Sequence, residues 1–303
     1  MFKLAHISDV HLGPLPEPTW RQLANKRILG YVNWKRNRKQ VLTSNYLEGL
    51  LSDLPEKNPD HIMVSGDLVN LSLPEEFCNA ADFLKLLGDP QDVSAVCGNH
   101  DAYVRGGFES AIEKWQPYIA GDEQVTAGRQ DFPYLRIRGD VAIIGCNSAE
   151  ATAPFMATGF FRRDQAERLA AILTRTVGLC RVVAIHHPPI AGSTSFYKRL
   201  VGDDLFRSVV SQHGAELIIH GHTHLATTNF IPGVGGNVPV IGVPAAGNAE
   251  GGKKPAGRYN LFTLNKEKHE WHINHEAYGY SATDKKVICL EQSGYCVVQP
   301  VSS

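Results

Sequence analysis

The chain has 303 residues, of which 43% are hydrophobic and 20% are charged, and both proportions are ordinary for a globular protein. Its 30 lysines and arginines nearly balance its 31 acidic residues, which argues against a protein whose main task is to coat nucleic acid. No stretch approaches the roughly 18 apolar residues of a membrane-spanning helix, and the first residues lack the pattern of a signal peptide. We therefore expect a globular protein of the cytoplasm.

Short β-branched runs alternate with longer amphipathic stretches along the chain. The candidate strands span residues 2–7, 61–65, 93–97, 134–138, 141–146, 181–185, 217–220, 238–243, 259–264 and 269–275. The candidate helices span residues 20–37, 41–54, 75–87, 108–115, 163–176 and 204–213. Strands separated by helices favour parallel pairing, whereas the later, closely spaced strands favour antiparallel meanders. We predict one mixed α/β domain over residues 1–276, followed by a tail, 277–303, whose role the pattern does not reveal.

The six cysteines are scattered, and no two of them form a CxxC pair. Cys97, Cys146 and Cys180 lie in or beside apolar runs, where a free cysteine behaves as a small hydrophobe. We expect them to be buried thiols in a reducing compartment. Cys289 and Cys296 are candidates for a bridge in the tail.

Five predicted strands end on side chains that can bind a metal ion. The sequences at those ends are Asp9-Val10-His11, Gly66-Asp67, Gly98-Asn99-His100-Asp101, His186-His187-Pro188-Pro189 and Gly221-His222-Thr223-His224. Ligands of open α/β sheets gather at the carboxyl ends of strands, so we expect these side chains to converge. Carboxylate, imidazole and amide oxygen ligands suit manganese, iron or zinc better than calcium.

The spacing within the motifs has a physical basis. Residues two apart in an extended segment point to the same side, so Asp9 and His11 can face one ion together. The glycines Gly66, Gly98 and Gly221 let the backbone turn sharply and approach the cluster closely.

The order of these motifs resembles that of the calcineurin-like metallophosphoesterase superfamily: DxH, GD, GNHD, a single histidine and GHxH. Within the superfamily, the chain resembles the bacterial-type phosphodiesterases in particular. The motifs span residues 9–224, and GNHD and GHTH are the most specific of them. The resemblance implies an α/β fold, a four-layer α/β/β/α sandwich with two mixed β-sheets flanked by helices. It also implies two divalent or mixed-valence metal ions, Mn, Fe or Zn, as cofactors.

The resemblance further implies a role for each motif residue. The expected metal ligands are Asp9, His11 and His224 for one ion, Asn99, His186 and His222 for the other, and Asp67 as the bridge between them. His186 is preferred to His187 because the family's ligand is the first residue after the strand. His187 is then expected to support the ligands or to face the substrate. His100 is expected to contact the phosphate or assist the leaving group, with Asp101 orienting it.

Two ions roughly 3.5–4 Å apart lower the pKa of a bridging water and stabilise the charge that develops on the phosphate. The resemblance therefore implies a phosphoric ester hydrolase. We expect a phosphodiesterase acting on a small substrate, such as a cyclic nucleotide or a glycerophosphodiester. A phosphomonoesterase or a protein phosphatase would use the same metals. We expect no nucleic-acid substrate, since the extensive basic surfaces of related nucleases are not seen, and the oligomeric state stays open.

Two segments outside the motifs are considered for substrate contact. The candidate substrate-binding residues close behind the fourth motif are Tyr197, Lys198 and Arg199, beside His187. The glycine-rich segment 247–257 contains Lys253 and Lys254, but it lacks the residue order of a phosphate-binding loop. We interpret it as a flexible surface loop.

Residues 20–40 form a basic segment that contains no acidic residue. Its cationic residues are Arg21, Lys26, Arg27, Lys35, Arg36, Arg38 and Lys39. Because the segment follows the first motif, we expect it to overhang the metal site as an amphipathic cap. The simpler interpretation is a helix whose apolar stripe packs on the domain. The alternative is peripheral contact with an anionic membrane, which would imply a lipid-phosphate or lipid-linked pyrophosphate hydrolase.

Overall fold

The computed structural model describes residues 1–35, 44–124, 128–281 and 283–299. The strands are β1 (Phe2–Ile7), β2 (His61–Val64), β3 (Val93–Ala95), β4 (Tyr134–Arg138), β5 (Val141–Gly145), β6 (Gly159–Phe160), β7 (Cys180–Ala184), β8 (Leu200–Val201), β9 (Leu217–His220), β10 (Thr227–Gly233), β11 (Gly236–Gly242), β12 (Arg258–Glu267), β13 (Glu270–Ser281) and β14 (Lys286–Val298). The α-helices are α1 (Trp20–Leu23), α2 (Arg27–Asn33), α3 (Ser44–Asp53), α4 (Pro74–Leu87), α5 (Gly107–Ile119), α6 (Arg163–Arg175) and α7 (Asp203–His213).

Two six-stranded mixed sheets form the centre of the molecule. The first sheet has the strand order β14-β13-β12-β1-β2-β3, and the second has the order β10-β11-β9-β7-β5-β4. Neighbours are parallel from β1 to β3 and from β5 through β7 and β9 to β11. The strands β12, β13 and β14 form an antiparallel meander. The predicted change from parallel to antiparallel pairing along the chain is confirmed.

The two sheets pack face to face through a buried apolar layer that includes Leu4 of the first sheet and Ile219 of the second. The helices α3, α4 and α5 cover the outer face of the first sheet, and α6 and α7 cover that of the second. Strand β2 shows why both faces are apolar: Met63 contacts the layer between the sheets, whereas Ile62 and Val64 contact the helices. The predicted four-layer α/β/β/α sandwich is confirmed.

The strand registers bring the ends of the parallel strands level. Ile7 at the end of β1 pairs with Val64 at the end of β2, which in turn pairs with Ala95 at the end of β3. In the second sheet, Ala184 at the end of β7 pairs with Ile219 near the end of β9. The five motifs therefore begin at the same level of the sandwich.

The basic segment 20–40 is not the single helix that the amphipathic pattern predicted. The chain turns between α1 and α2, where Asn25 Oδ1 accepts a hydrogen bond from the backbone N–H of Arg27 at 2.9 Å. The Arg27 guanidinium then donates to the carbonyl of Leu71 at 2.9 Å, which ties α2 to the domain. The rest of the segment, with the start of the next predicted helix, falls in residues 36–43, outside the described ranges.

The tail proposed at 277–303 is largely part of the first sheet. Strand β13 continues past the predicted boundary at 276 to Ser281, and β14 pairs with it as the edge strand. Much of β14 is exposed, so its apolar alternation is weak, and this explains why the pattern did not reveal it. The division at 276 is therefore replaced by a sheet that continues through Val298.

The prediction that Cys97, Cys146 and Cys180 are buried free thiols is confirmed. Cys289 and Cys296 are also free and exposed, so the bridge between them is not formed. Among the described residues, no helix has both the length and the apolar character needed to cross a membrane.

Candidate metal centre

Carboxylates and histidines from both sheets converge where the motifs begin. Asp9 Oδ1 lies 3.0 Å from His224 Nε2 and 3.9 Å from His11 Nε2. Asp67 Oδ2 lies 3.4 Å from His186 Nε2 and 3.9 Å from His11 Nε2. The possible ligand atoms form overlapping groups, among them Asp9 with His11 and His224, and Asp9 with Asp67 and His186, each with all atoms within 4.8 Å of one another. His100 and His187 each belong to a further such group, the first with His11 and Asp67 and the second with His186 and His222.

The remaining expected ligands, His222 and Asn99, line the same cavity as His11 and Asp67. The ring of His222 lies 5.2 Å from that of His186, centroid to centroid. Asn99 is buried, and its Oδ1 accepts no hydrogen bond from the described residues. A buried amide oxygen without a donor is costly unless a ligand satisfies it. The donor set around it, two carboxylates, an amide oxygen and histidines, is one that fits metal ions.

Each carboxylate is oriented by hydrogen bonds to its other oxygen. Asp9 Oδ2 accepts from the Ser8 hydroxyl at 2.7 Å and from the backbone N–H of His222 at 2.9 Å. Asp67 Oδ1 accepts from the backbone N–H of His100 at 2.7 Å. The second oxygen of each side chain is thereby directed at the histidines, as in metal sites whose ligands are held from outside.

Backbone carbonyls determine which nitrogen of each histidine carries the proton. His186 Nδ1 donates to the carbonyl of Ser65 at 2.7 Å, and His11 Nδ1 donates to that of Val69 at 3.1 Å. In the neutral rings, the Nε2 lone pairs therefore face the carboxylates. Lone pairs directed at a carboxylate repel it unless a proton or a metal ion lies between them.

Charge and burial shift the pKa values of these carboxylates and histidines in opposite directions. Burial by itself raises the pKa of Asp9, but the neighbouring His224 outweighs burial and holds the pKa below its ordinary range. The same balance, with His186 as the main partner, holds the pKa of Asp67 well below its ordinary range. Desolvation favours the neutral ring of His186, yet Asp67 raises its pKa to about 9. The ionised carboxylates make the centre negative, which attracts cations.

Backbone strain is concentrated at the same residues. Ten non-glycine residues of the described chain have positive φ, and five of them are expected ligands. These are Asp9, His11, Asp67, His222 and His224, with φ between 47° and 66°. Such conformations cost on the order of 1–3 kcal/mol each and cluster at functional sites.

Two motif glycines allow the turns to approach one another. A Cβ atom at Gly98 would clash with Asp67 Oδ1, and one at Gly221 would clash with Ser8 Oγ and Asp9 Oδ2. The expectation that these glycines permit close approach is therefore confirmed at both positions.

His100 lies beside the cluster and lines the cavity above it. Its Nδ1 donates to the carbonyl of Asn70 at 2.6 Å, and its ring stacks on that of Tyr103 with centroids 5.5 Å apart. The His11 ring lies 4.8 Å away, edge-on. The position is compatible with contact between His100 and a phosphate or leaving group bound in the cavity.

Asp101 does not orient His100, contrary to the expectation. Its buried carboxylate accepts four backbone hydrogen bonds, at 2.7–3.1 Å. The donors are the N–H groups of Asp67, Leu68, Val69 and Gly98. The family resemblance implied a pair with the adjacent histidine, but the chain turns so that Asp101 joins the second and third motifs instead.

A cavity of about 790 Å³ opens onto the cluster. Six of the residues expected to bind metal or assist catalysis line it, namely His11, Asp67, Asn99, His100, His222 and His224. Of the proposed substrate-binding residues, Lys198 lines the cavity. Its neighbours Tyr197 and Arg199 are not among the lining residues; both are exposed, and the guanidinium of Arg199 lies over the Phe196 ring, 3.8 Å from its centroid.

His187 does not face the substrate cavity. It is buried, with Nδ1 2.7 Å from the Ser148 hydroxyl and Nε2 3.1 Å from the carbonyl of Ala157. Burial, followed by the charge of His186, lowers its pKa to about 3, so the ring is neutral. Of its two expected roles, support of the neighbouring ligands matches this position.

Other lining residues were not predicted as site residues. They are Ala157, Ser193, Thr194, Ser195, Thr223, Leu225, Asn248, Gly251, Gly252, Lys253 and Lys254. The sequence signal for the last five was the glycine-rich segment with its two lysines, which we interpreted as a surface loop. Tertiary structure brings that segment to the cavity.

Comparisons of the sequence with known proteins identify a matching family and a curated relative. The family described as calcineurin-like phosphoesterase matches residues 2–226. A curated relative, the glycerophosphodiester phosphodiesterase GpdQ of Enterobacter lignolyticus (strain SCF1), is 27% identical over 188 residues, which cover 62% of this chain and 57% of the relative. The chain thus spans a little over half the length of that relative.

Two solved structures are also similar, at low sequence identity. One is the 5'-nucleotidase precursor from Thermus thermophilus, with 12% identity, a TM-score of 0.48, and coverage of 98% of this chain and 54% of that one. The other is the calcineurin-like phosphoesterase YfkN from Bacillus subtilis, with 10% identity, a TM-score of 0.46, and coverage of 98% and 90%. Since the family match extends over most of the chain and includes all five motifs, the chain belongs to the calcineurin-like phosphoesterase family.

Proposed function

We propose that the chain is a two-metal phosphodiesterase for a small substrate. The observation that supports the proposal is the set of overlapping groups of possible ligand atoms from Asp9, His11, Asp67, His186, His222 and His224. Four of these residues, together with Asn99, line one cavity. In this proposal Asp9, His11 and His224 hold one ion, Asn99, His186 and His222 hold the other, and Asp67 is shared. Which of Mn, Fe or Zn occupies each position is left to metal analysis.

The chain's own residues have distinct tasks in this proposal. The bound ions would supply Lewis-acid polarisation of the phosphate and a lowered pKa of water. Asp9 and Asp67 hold the ions, and the Ser65 and Val69 carbonyls keep the ligand rings in the required tautomer. His100 lies where its Nε2 can donate a hydrogen bond or a proton to the leaving oxygen.

Two findings favour a small diester as the substrate. The cavity volume of about 790 Å³ is within the range of small-molecule sites, roughly 300–1,000 Å³. The curated relative is named a glycerophosphodiester phosphodiesterase, although this chain spans just over half of it. A glycerophosphodiester or cyclic nucleotide is therefore our leading substrate class, ahead of a monoester or phosphoprotein.

The test is a substrate panel run alongside metal analysis. The substrates are bis-p-nitrophenyl phosphate, p-nitrophenyl phosphate, glycerophosphocholine and cyclic AMP, each with added Mn²⁺, Zn²⁺ or Fe²⁺. We expect two equivalents of metal per chain and faster hydrolysis of the diesters than of the monoester. A single equivalent of metal, or activity confined to the monoester, would contradict the proposal.

A second candidate is a lipid-phosphate or lipid-linked pyrophosphate hydrolase that binds membranes through the basic segment 20–40. The supporting observation is a row of exposed apolar side chains on α1 and α2: Trp20 is 86% exposed, and Ile28, Leu29 and Val32 are each about 40% exposed or more. Arg21 and Lys35, both exposed, lie in the same segment. Exposed apolar residues beside cations are typical of helices that lie on anionic membranes.

Liposome co-sedimentation separates the two candidates. Vesicles containing phosphatidylglycerol should sediment the wild-type chain but not a Trp20→Ser, Leu29→Ser variant. Leu86→Ser, which changes an exposed apolar residue on α4, is the matched control. Equal sedimentation of all three proteins would remove the support for membrane binding.

A further inference from the structure

The wall of the cavity carries three lysines, Lys198, Lys253 and Lys254. The one acidic side chain among the lining residues is that of Asp67, which belongs to the metal cluster at the floor. The described residues form no ion pair with Lys198 or Lys253. The wall is therefore positively charged, and its lysines are not among the expected metal ligands.

Two of these lysines are held on either side of the turn that contains His222 and His224. His222 Nε2 donates to the backbone carbonyl of Lys198 at 2.9 Å, which fixes the short 3-10 turn from Phe196 to Lys198 against the cluster. Lys254 Nζ donates to the carbonyl of Thr223, also at 2.9 Å. The backbone of Lys198 is thus bonded to a candidate metal ligand, and the Lys254 ammonium is bonded to the residue between two of them.

The charges of the wall repel one another. Desolvation, and then the charge of Lys198, lower the pKa of Lys254. Lys254 uses one of its three N–H donors on Thr223, which leaves two for a ligand. Polar groups beside the lysines, the hydroxyls of Thr194 and Ser195 and the amide of Asn248, also line the cavity. An anion bound there would offset the repulsion and accept these hydrogen bonds.

We propose that Lys198, Lys253 and Lys254 form a second anion subsite, which binds a phosphate or carboxylate of the substrate other than the scissile phosphate. This inference rests on the proposed phosphodiesterase function and specifies the substrate class: a small diester with a further anionic group on one of its alcohol portions. The metal cluster holds the scissile phosphate, and the lysine wall holds the second anion.

The experiment uses two matched pairs of ligands. Glycerophosphoserine differs from glycerophosphoethanolamine by a carboxylate, and glycerophosphoinositol 4-phosphate differs from glycerophosphoinositol by a phosphate. The dissociation constant of each is measured by titration calorimetry on the EDTA-treated full chain, in which turnover does not interfere. The ratio kcat/KM is measured separately on the metal-loaded chain.

We expect the wild-type chain to bind the more anionic member of at least one pair about ten-fold more tightly, because a charge-assisted hydrogen bond strengthens binding by this order. Lys198→Met and Lys253→Met should each reduce that preference several-fold. Lys254 is left unchanged because it also binds Thr223. Lys114→Met, which removes an exposed cation on α5, should retain the preference.

No preference in either pair, or a preference that both variants retain, would overturn the subsite. The pair that shows the preference identifies the anion as carboxylate or phosphate. Hydrolysis of bis-p-nitrophenyl phosphate by the metal-loaded wild-type chain tests the phosphodiesterase proposal independently. A chain that hydrolyses this ester but shows no anion preference would refute the subsite alone.

Discussion

At the residue scale, Asp67 lies between the two halves of the candidate metal cluster. One oxygen faces His186 and His11, and the other accepts the backbone N–H of His100. Because Asp67 lies close to histidines of both halves, its removal is expected to affect both ions rather than one.

Asp67→Ala is expected to lower the metal content below one equivalent per chain and to abolish hydrolysis of bis-p-nitrophenyl phosphate. Metal content is measured by elemental analysis of the dialysed protein. Asp82→Ala, which removes an exposed carboxylate paired with Lys85, is the control and should retain both properties. Full metal content in Asp67→Ala would show that this carboxylate does not bridge.

His100→Ala is expected to retain most of the metal yet lose on the order of 10²–10⁴ in kcat, the usual range for a general acid or base. The reason is that His100 lines the cavity while its Nδ1 is bound to the Asn70 carbonyl, so a substrate would be contacted through Nε2. His269→Ala, an exposed position, is the control. An empty metal site in His100→Ala would reassign this histidine as a ligand.

His61 supplies a prediction about stability and pH. It is buried in β2 with Nε2 2.7 Å from the Ser94 hydroxyl, and burial, followed by the charge of Arg136, lowers its pKa to about 3. The unfolded chain binds this proton near pH 6.5, so stability is complete above that pH and falls as the pH drops towards 3.

His61→Leu should therefore make the free energy of unfolding less dependent on pH between about pH 6 and 4. The slope should fall by up to about 1.4 kcal/mol per pH unit, which corresponds to one proton per molecule. Urea unfolding at a series of pH values measures the slope for the two proteins. Identical slopes would mean that His61 is protonated in the folded state as readily as in the unfolded state.

At the scale of elements, the turns after the strands are fastened to one another. The turn after β1 runs beside the turn after β2, with Asp9 N–H bonded to Gly66 O at 2.9 Å and His11 N–H to Asp67 O at 3.0 Å. Asp101 then links the turn after β2 to the turn after β3 through its four backbone hydrogen bonds. The metal-binding side chains are thus carried by one connected unit.

Asp101→Ala is expected to destabilise the fold by at least about 3 kcal/mol, because it leaves several buried N–H groups without an acceptor, each costing about 1–3 kcal/mol. It should also lower metal affinity, since Asp67 lies on the freed turn. Chemical denaturation and metal titration measure the two effects, with Asp82→Ala again as the control. A variant of unchanged stability with reduced kcat alone would instead favour a direct role beside His100.

At the scale of the whole molecule, β14 closes one edge of the sandwich. Val297 is buried with Trp271 and Ile273 in the layer between the sheets, whereas the next residue, Val298, is 43% exposed. Val297 thus packs in the core while most of β14 is partly or fully exposed, as in an edge strand of a sheet packed on one face.

Val297→Ala is expected to cost about 2 kcal/mol of stability, because it removes buried methyl groups from a packed layer. Val298→Ala should change stability by less than about 0.5 kcal/mol. Thermal or urea unfolding of the two variants measures the difference. Equal effects would mean that the strand does not pack against the sheets in solution.

Much of the architecture was accessible from the sequence. The spacing of apolar residues predicted the strands β1, β4 and β9 with their observed bounds. It predicted the helices α4 and α6 to within one residue at each end. It did not predict β10 or β14, whose exposed faces weaken the alternation, or the break between α1 and α2. The contact of Arg27 with Leu71, which holds α2 on the domain after the break, is one that no local pattern contains.

The sequence by itself determined the family, the motif residues and the strand ends that carry them, because metal chemistry requires particular side chains at short, fixed spacings. Only the tertiary structure decided that Asp101 supports a neighbouring turn, that His187 is buried, and that the lysines of a glycine-rich segment reach the cavity. Each of these depends on contacts between distant segments, such as the bond from His222 N–H to Asp9, 213 residues away along the chain. Such contacts follow from packing of the two sheets, which local periodicity does not encode.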